Sequence, residues 1–382
     1  MNADNDTTAE VSLSRDECIL AIVIYSLIAV VAIIGNVVII YIVVRFPRMR
    51  TPTNALLANL ALADTLVALL CIPFSLASTL LLESWPFGWF LCKVVHFSQA
   101  VTVMASAYTL IAISVDRFCG IMFPMSTRTK LTNRKAALVI AVVWTVAIII
   151  AFPLLMVLSL ATSPDDDSIL YCAENWTWAN ETAGEYEYSL AAMCLQYFVP
   201  LLVLTLTYAG IGLKLWFSRV PGEGGHAGKF NRQRKSMVKK EATLKEIVAF
   251  VFFQMLPTMF IVTTVYSFCW LPLNVFNILR ALYPLINEYT YVLHVWWACH
   301  TVAMIHCMVN PIIYVSRNRR FREGFAYVFR WLPGVHFDPY SMCLFNTSMA
   351  RGSSVQASIV QPLHSASLNK HRTQSMATVS DY

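Results

Sequence analysis

Long apolar runs alternate with short polar segments along the chain. Each run has about 18 or more mostly apolar residues, a length that predicts a helix crossing a lipid bilayer. The runs lie at about 19–44, 54–82, 94–115, 136–160, 188–213, within 247–279, and 289–315. The pattern therefore predicts an all-α membrane protein, a seven-transmembrane helix bundle.

The sixth run is longer than one crossing requires. No charged side chain lies between Glu246 and Arg280. At about 1.5 Å per residue, a helix over 247–279 would reach ~50 Å, against a hydrocarbon core about 30 Å thick. Two crossings would need more residues and would export the basic segment 316–322. We therefore predict one span within this run and a surplus that needs its own explanation.

Composition and charge set the orientation. Hydrophobic residues make up 57% of the 382 positions and charged residues 13%, whereas a soluble domain carries about 25% charged residues. Lysine and arginine in short loops stay in the cytoplasm. Seven spans place 25 of the 28 basic residues inside, the exceptions being Arg15, Lys93 and Arg280. We expect the N-terminus outside and the C-terminus in the cytoplasm.

The outer segments are acidic and carry secretory-pathway features. They hold 14 of the 22 aspartates and glutamates, a surface that steers cations toward it, although ordinary solvated loops have a similar composition. Glycosylation sequons lie outside at Asn5, Asn175 and Asn180. Cys92 and Cys172 face the same oxidising compartment, so we expect a disulfide that holds the long outer loop over the bundle.

Asp64 is the one carboxylate deep in a predicted span. Without a partner it would take up a proton or a cation. Polar residues expected at similar depth are Asn36, Ser106, Trp270, His306 and Asn310. A structural hydrogen-bond network and a bound sodium ion both explain this set. The histidines at 294, 300 and 306 do not indicate a metal site, because a spacing of six puts them on different helix faces.

Several short motifs follow one another along the spans. They are GNVV, LANLALAD, WPFGWFLC, SVDRF, Trp144, Pro200 with Tyr208, CWLP and NPIIY. Together they resemble the motifs of rhodopsin-like G-protein-coupled receptors over residues 19–330. The segments WPFG, YCAENW, CWLPLNVFN, NEY and NPIIYVSRNRRFREGF are similar to those of neuropeptide receptors of the neuropeptide Y, RFamide and tachykinin-related group.

The resemblance implies an activation switch near the inner face. Arg117 would be held by Asp116 in the inactive state and would meet the G protein on activation. Tyr208 and Tyr314 would support the active form, and Pro311 belongs to the same NPIIY motif as Tyr314.

The resemblance also implies a switch at mid-depth and an ion site. Trp270, above Tyr266, would be the rotamer switch beneath the ligand cavity. An allosteric sodium ion would be held by Asp64, Ser106 and Asn310, with His306 as a further member. No other cofactor is expected, and the family's outer disulfide matches Cys92 and Cys172.

The residues that differ from those of amine receptors and opsins disfavour some classes of ligand. Gln99 stands where amine receptors carry an aspartate, and Met304 stands where opsins carry their lysine, so neither an amine nor retinal is favoured. Amide and imidazole groups that would suit a peptide backbone or amidated end are Gln99, Gln196, Asn274, Asn277 and His300. Glu174 can pair with an arginine. We expect an amidated, arginine-containing neuropeptide, although Ala281 replaces an acid usual in neuropeptide Y-type receptors.

Residues 241–260 explain the surplus in the sixth run. They separate a basic stretch from CWLP by more residues than the resemblance predicts. The segment is either a translated intron or alternative exon, or a genuine extension into the cytoplasm or along the interface. Activation in the family moves the inner end of the sixth span outward, and an apolar insert there would oppose coupling. A signalling-dead variant that traps its ligand is therefore an alternative function.

The chain divides into an extracellular N-terminus (1–18), the bundle (19–316), an amphipathic membrane-surface helix (317–333) and a disordered cytoplasmic tail (334–382). Cys343 is a candidate for palmitoylation, with a free thiol as the alternative. Expected partners are a peptide outside, a heterotrimeric G protein, arrestin on the phosphorylated tail, and membrane lipids, but no nucleic acid. The expected location is the plasma membrane.

Two other protein classes are disfavoured. A transporter would be expected to carry paired intramembrane charges or related halves with broken helices, whereas this chain has one deep acid and no internal repeat. An enzyme is not expected, because the spacings assemble no nucleophile, base and orienting group.

Overall fold

The computed structural model describes residues 13–123, 126–162, 168–176, 181–217, 258–283, 285–286 and 289–337. Within them, all residues except Phe46–Arg48 belong to one compact unit. The predicted glycosylation sites Asn5 and Asn180 and the predicted palmitoylation site Cys343 lie outside the described residues. So does most of the segment 241–260.

The bundle prediction is confirmed. Seven helices among the described residues are long and apolar enough to cross a membrane. They are α1 (Arg15–Arg45), α2 (Pro52–Leu81), α3 (Gly88–Met122), α4 (Asn133–Val157), α5 (Glu181–Met193, Cys194–Phe198 and Val199–Phe217), α6 (Thr258–Leu282) and α7 (Val292–Arg317). A short helix, α8 (Arg319–Val328), follows α7. It is shorter than the predicted segment 317–333, and its place on the membrane surface stays a prediction.

Side-chain caps fix three helix starts. The Thr51 hydroxyl accepts from the backbone N–H of Asn54 (3.2 Å) at α2, and the Thr132 hydroxyl accepts from that of Lys135 (3.3 Å) at α4. The Asn318 side chain accepts from the N–H of Arg320 (3.0 Å), which separates α8 from α7. Each cap satisfies an N–H that has no partner inside the helix.

Prolines shape α2 and α5. A π-helical segment ends two residues before each proline, Val67–Cys71 before Pro73 and Cys194–Phe198 before Pro200. Proline has no N–H and crowds the carbonyl four residues earlier, so the wider π turn accommodates it. At these two prolines the helices therefore contain widened turns.

Two carbonyls lying four residues before a proline are bound by another helix. The Asn36 amide of α1 donates to the carbonyl of Cys307 (2.9 Å), four residues before Pro311. The Tyr266 hydroxyl of α6 donates to the carbonyl of Gln196 (3.3 Å), four residues before Pro200. Because buried backbone groups need partners, these bonds tie α1 to α7 and α6 to α5.

Gly35 lets α1 approach α7. A Cβ at this position would lie 2.6 Å from the Cβ of Pro311, closer than carbon atoms can pack without movement. The glycine in GNVV thus brings Asn36, the next residue, within reach of the carbonyl of Cys307.

We expect Gly35→Ala to lower the melting temperature of the purified chain by several degrees, since overpacking costs about 1–3 kcal/mol. Gly212→Ala is the matched control, because a Cβ there meets nothing within 4 Å and alanine favours a helix by roughly 0.5–1 kcal/mol. Thermal unfolding of both variants checks this. Equal melting temperatures would contradict the close approach at Gly35.

The outer loop after α4 forms a β-hairpin that the all-α prediction did not include. Strands β1 (Leu158–Thr162) and β2 (Leu170–Glu174) are antiparallel, with Leu160 opposite Cys172. The predicted disulfide is confirmed, and it joins Cys172 to Cys92 with a Cα separation of 5.6 Å. Asn175, just after β2, is exposed, and its glycosylation stays a prediction.

The sixth helix begins inside the segment 241–260. Thr258 and Met259 are buried in the bundle, with 3% and 4% of their surfaces exposed. Phe260 packs edge-on against Tyr208 of α5, with ring centroids 5.5 Å apart. The last three residues of the surplus therefore form the first turn of α6, and residues 241–257 lie outside the described part of the chain.

Candidate functional site

A cavity of about 570 Å³ opens between the hairpin, α3, α5 and α6. Four of the predicted ligand-binding residues line it, and they are Glu174 from β2, Gln196 from α5, and Asn274 and Asn277 from α6. The described lining residues also include Trp270, but not Gln99 or His300.

Glu174 is held in position on the rim of this cavity. The indole N–H of Trp176 donates to its Oε2 at 2.9 Å. Trp176 itself is buried, and its ring centroid lies 5.2 Å from that of Tyr188, another residue lining the cavity. The carboxylate therefore stands at a defined place two residues beyond the disulfide, where it can accept from a cationic ligand group.

The α6 wall adds polar groups. Asn274 donates from its amide to the carbonyl of Trp270 (2.8 Å), which directs its amide oxygen away from that bond. Arg280 also lines the cavity, one helical turn beyond Asn277. The sequence reasoning missed Arg280 as a site residue, although its spacing of three from Asn277 puts both on one helix face. The wall thus offers amide groups and one cation.

His300 does not line this cavity and lies between α7 and α1. Its Nδ1 is 2.7 Å from the Tyr25 hydroxyl of α1, and its ring stacks with those of Tyr25 and Trp296, with centroids 5.8 and 4.7 Å away. Only 3% of its surface is exposed. In this structure His300 joins α7 to α1. Gln99 is half-buried on α3, and the ligand contacts predicted for both residues stay predictions.

The cavity floor is aromatic. Trp270 is 4% exposed, and its indole N–H has no hydrogen-bond partner among the described residues. Its ring centroid lies 6.1 Å from that of Tyr266 and 5.4 Å from that of His306. Trp270 therefore touches both the cavity and the polar centre beneath it, and its role as a switch stays a prediction.

The polar centre gathers around Asp64, which is fully buried. The Ser106 hydroxyl donates to its Oδ1 (3.1 Å) and the Asn310 amide to its Oδ2 (2.7 Å). His306 Nε2 lies 3.6 Å from Oδ1. The structure thus brings together all four residues of the predicted ion site and shows hydrogen bonds of the kind that the network alternative requires. The sodium ion stays a prediction.

At the inner face, Arg117 is 9% exposed and lies within ion-pair distance of its neighbour Asp116 (3.6 Å). The Thr53 hydroxyl of α2 donates to the same Asp116 oxygen, Oδ2, at 3.0 Å. This is the contact that the resemblance assigns to the inactive state, reinforced from α2.

The two tyrosines of the predicted switch make separate contacts. The Tyr208 hydroxyl is 3.4 Å from that of Thr263 on α6. Tyr314 is buried beside Phe321 of α8, with ring centroids 5.7 Å apart, and its hydroxyl has no hydrogen-bond partner among the described residues. Both rings lie on the inner half of the bundle, one on α5 and one on α7.

Comparison with known proteins agrees with this architecture. The family described as 7 transmembrane receptor (rhodopsin family) matches residues 35–314. Neuropeptide receptor 22 of Caenorhabditis elegans is 38% identical over 353 residues, which are 91% of this chain and 78% of that protein.

Two further relatives point to the same group. The RYamide receptor of Tribolium castaneum is 38% identical over 323 residues, 81% of this chain and 80% of that receptor. The neuromedin-K receptor of Cavia porcellus is 32% identical over 358 residues, 94% of this chain and 73% of that receptor. Proteins of this family are signalling receptors and not enzymes, which confirms the expectation from the sequence. The chain belongs to the rhodopsin family of seven-transmembrane receptors, as a multi-pass plasma-membrane protein whose relatives are neuropeptide receptors.

Proposed function

We propose that this receptor binds an amidated, arginine-containing neuropeptide through its outer cavity and transmits binding to a heterotrimeric G protein. The N-terminus then lies outside and the C-terminus in the cytoplasm, as the distribution of basic residues favours. Arrestin would bind the serine-rich tail after phosphorylation.

The observation that supports the ligand proposal best is the placement of Glu174 in the cavity. Its carboxylate is oriented by Trp176 and shares the cavity with the amides of Gln196 and Asn277. A carboxylate binds a guanidinium through charge-assisted hydrogen bonds, and amides bind a peptide's backbone or terminal amide. One relative is an RYamide receptor, a name that in one-letter code describes an amidated ligand with arginine and tyrosine.

Coupling to a G protein is supported by the inner face. Arg117 sits beside Asp116 and Thr53 at the inner end of α3, where an outward movement of α6 would open a cavity around it. Ligand binding outside can favour that arrangement only by binding it more tightly than the closed one.

The ligand proposal predicts that Glu174→Gln weakens an arginine-bearing agonist by roughly 10- to 100-fold, since a hydrogen bond to a charged group contributes about 1.5–3 kcal/mol. The probe is a synthetic peptide ending in Arg–Tyr-amide, compared with the same peptide carrying citrulline in place of arginine. Glutamine keeps an oxygen for the Trp176 indole, so the substitution removes the charge and preserves that hydrogen bond. Binding to membranes from expressing cells gives the affinities.

The control variant is Glu83→Gln, an exposed outer acid that does not line the cavity. It should leave both affinities unchanged, and the citrulline peptide should bind the parent receptor and Glu174→Gln alike. If Glu174→Gln lowers the affinity for both peptides equally, Glu174 does not pair with the arginine of the ligand. If a free-acid version of the peptide binds as tightly as the amide, the proposal that the ligand is amidated is wrong.

A further inference from the structure

Three buried side chains beneath the cavity present potential metal ligands to one another. The atoms belong to Asp64 of α2 and to His306 and Cys307 of α7, and they all lie within 4.8 Å of one another. His306 Nε2 is 3.6 Å from Asp64 Oδ1 and 3.6 Å from Cys307 Sγ. Within the described residues this is the one such group of three.

The hydrogen bonds of His306 define what its ring offers to Asp64. Its Nδ1 lies 2.7 Å from the carbonyl oxygen of Ala303. A carbonyl only accepts, so Nδ1 carries a hydrogen and donates it. In the neutral ring the lone pair of Nε2 then faces the Asp64 carboxylate, and two acceptors this close are held together by a proton or by a metal ion between them.

This arrangement is the one that metal-binding histidines adopt. They usually donate their second ring N–H to a carbonyl or carboxylate, and the ligating carboxylates are themselves held by hydrogen bonds. Here the carbonyl is that of Ala303, and the carboxylate is held by Ser106 and Asn310. The supporting bonds of a metal site are therefore already present around Asp64 and His306.

We infer that Asp64, His306 and Cys307 bind a borderline divalent cation such as Zn²⁺ in preference to sodium. Sodium is a hard cation suited to oxygen ligands, whereas imidazole nitrogen and thiolate sulfur suit zinc. Nε2 and Sγ lie 3.6 Å apart, close enough for one zinc ion to reach both atoms once the Cys307 side chain has rotated.

Charge favours the same ion. A divalent cation with the Asp64 carboxylate, a Cys307 thiolate and a neutral imidazole leaves the buried site with no net charge. The thiol loses its proton on binding the metal. Since Sγ lies equally far from both nitrogens of His306, coordination takes a rotation of the Cys307 side chain. Ser106 or a water supplies the fourth ligand.

The bound ion would link α2 to α7 directly beneath Trp270, whose ring is 5.4 Å from that of His306. Anything that binds the folded chain and not the unfolded one raises its stability. Zinc should therefore stabilise the arrangement described here and resist movement of α7 against α2.

The test uses the full chain, purified without a polyhistidine tag and stripped with EDTA. Micromolar ZnCl2 should raise its melting temperature by about 3 °C or more. MgCl2 should not raise it, and neither should NaCl when compared with the same concentration of choline chloride. His306→Asn should abolish the zinc effect, and Cys307→Ala, a smaller change, should weaken it. If no zinc-specific rise occurs, if His306→Asn keeps it, or if sodium alone raises the melting temperature, the inference is wrong.

A second measurement has its main readout in the parent chain. Loading the parent chain with Co²⁺ should give the thiolate-to-cobalt absorption band of a cysteine ligand, at one ion per chain, and zinc should displace it. Absence of this band would exclude Cys307 from the site. With Cys307→Ala the band should disappear even though other free cysteines remain in the chain.

Discussion

Replacing Cys172 with serine is expected to weaken binding of the Arg–Tyr-amide peptide at least 100-fold. The disulfide fastens β2 to the outer end of α3 across a sequence separation of 80 residues. In the chain-entropy estimate, closing a loop of that length contributes about 4.5 kcal/mol. Glu174 lies two residues beyond Cys172, so a released hairpin no longer holds the carboxylate over the cavity.

Among the described residues the hairpin also makes noncovalent contacts, each weaker than the covalent bridge, including the packing of Trp176 against Tyr188. Trp85 donates its backbone N–H to the carbonyl of Leu170 (2.6 Å), and Asn175 donates to that of Val157 (2.8 Å). Such bonds contribute about 0.5–1.5 kcal/mol each, whereas a 100-fold loss of affinity corresponds to about 2.7 kcal/mol.

Radioligand binding on intact cells, normalised to surface expression, measures the effect. The variants Cys92→Ser and Cys92→Ser/Cys172→Ser should match the loss in Cys172→Ser, because each breaks the same bond. Cys18→Ser is the control, since Cys18 is a free, half-buried cysteine on the outer side. Unchanged affinity in the double variant would show that the hairpin does not position the ligand.

Hydropathy predicts the seven spans because each crossing needs a fixed length of apolar helix, and charge predicts their direction. Neither pattern predicts which side chains of different helices contact one another. His300 and His306 are both polar residues on α7, yet one turns to Tyr25 of α1 and the other to Asp64 of α2. Which neighbour a residue meets depends on how the helices pack, and a single sequence does not contain that packing.

Two features that the sequence does not predict depend on contacts between distant segments. The β-hairpin lies in a loop with weak alternation, and its disulfide and backbone bonds, which join distant segments, decide its form. A cysteine within a span is usually a small apolar residue, so the sequence does not single out Cys307. Its position next to His306 was visible in the sequence, but its closeness to Asp64, 243 positions earlier, follows only from the fold.

Deleting residues 241–260 is expected to raise agonist-stimulated second-messenger output roughly tenfold or more at equal surface expression. The last three residues of the segment form the first turn of α6, and under the proposed function this end moves outward when a G protein binds. We expect apolar residues there to oppose that movement, and a tenfold change in the active population corresponds to about 1.4 kcal/mol. Deletion also joins the basic stretch ending at Lys240 directly to Ile261.

Deleting only residues 241–257 is the matched control, because it keeps Thr258 and Met259 in the bundle and Phe260 against Tyr208. If both deletions increase signalling, the apolar residues before α6 oppose coupling. If only the longer deletion does so, the contact of Phe260 with Tyr208 is the restraint, and Phe260→Ala in the full chain should reproduce the gain. A full chain that already signals as strongly as either deletion would show that the segment is a tolerated extension, and the signalling-dead alternative would then be rejected.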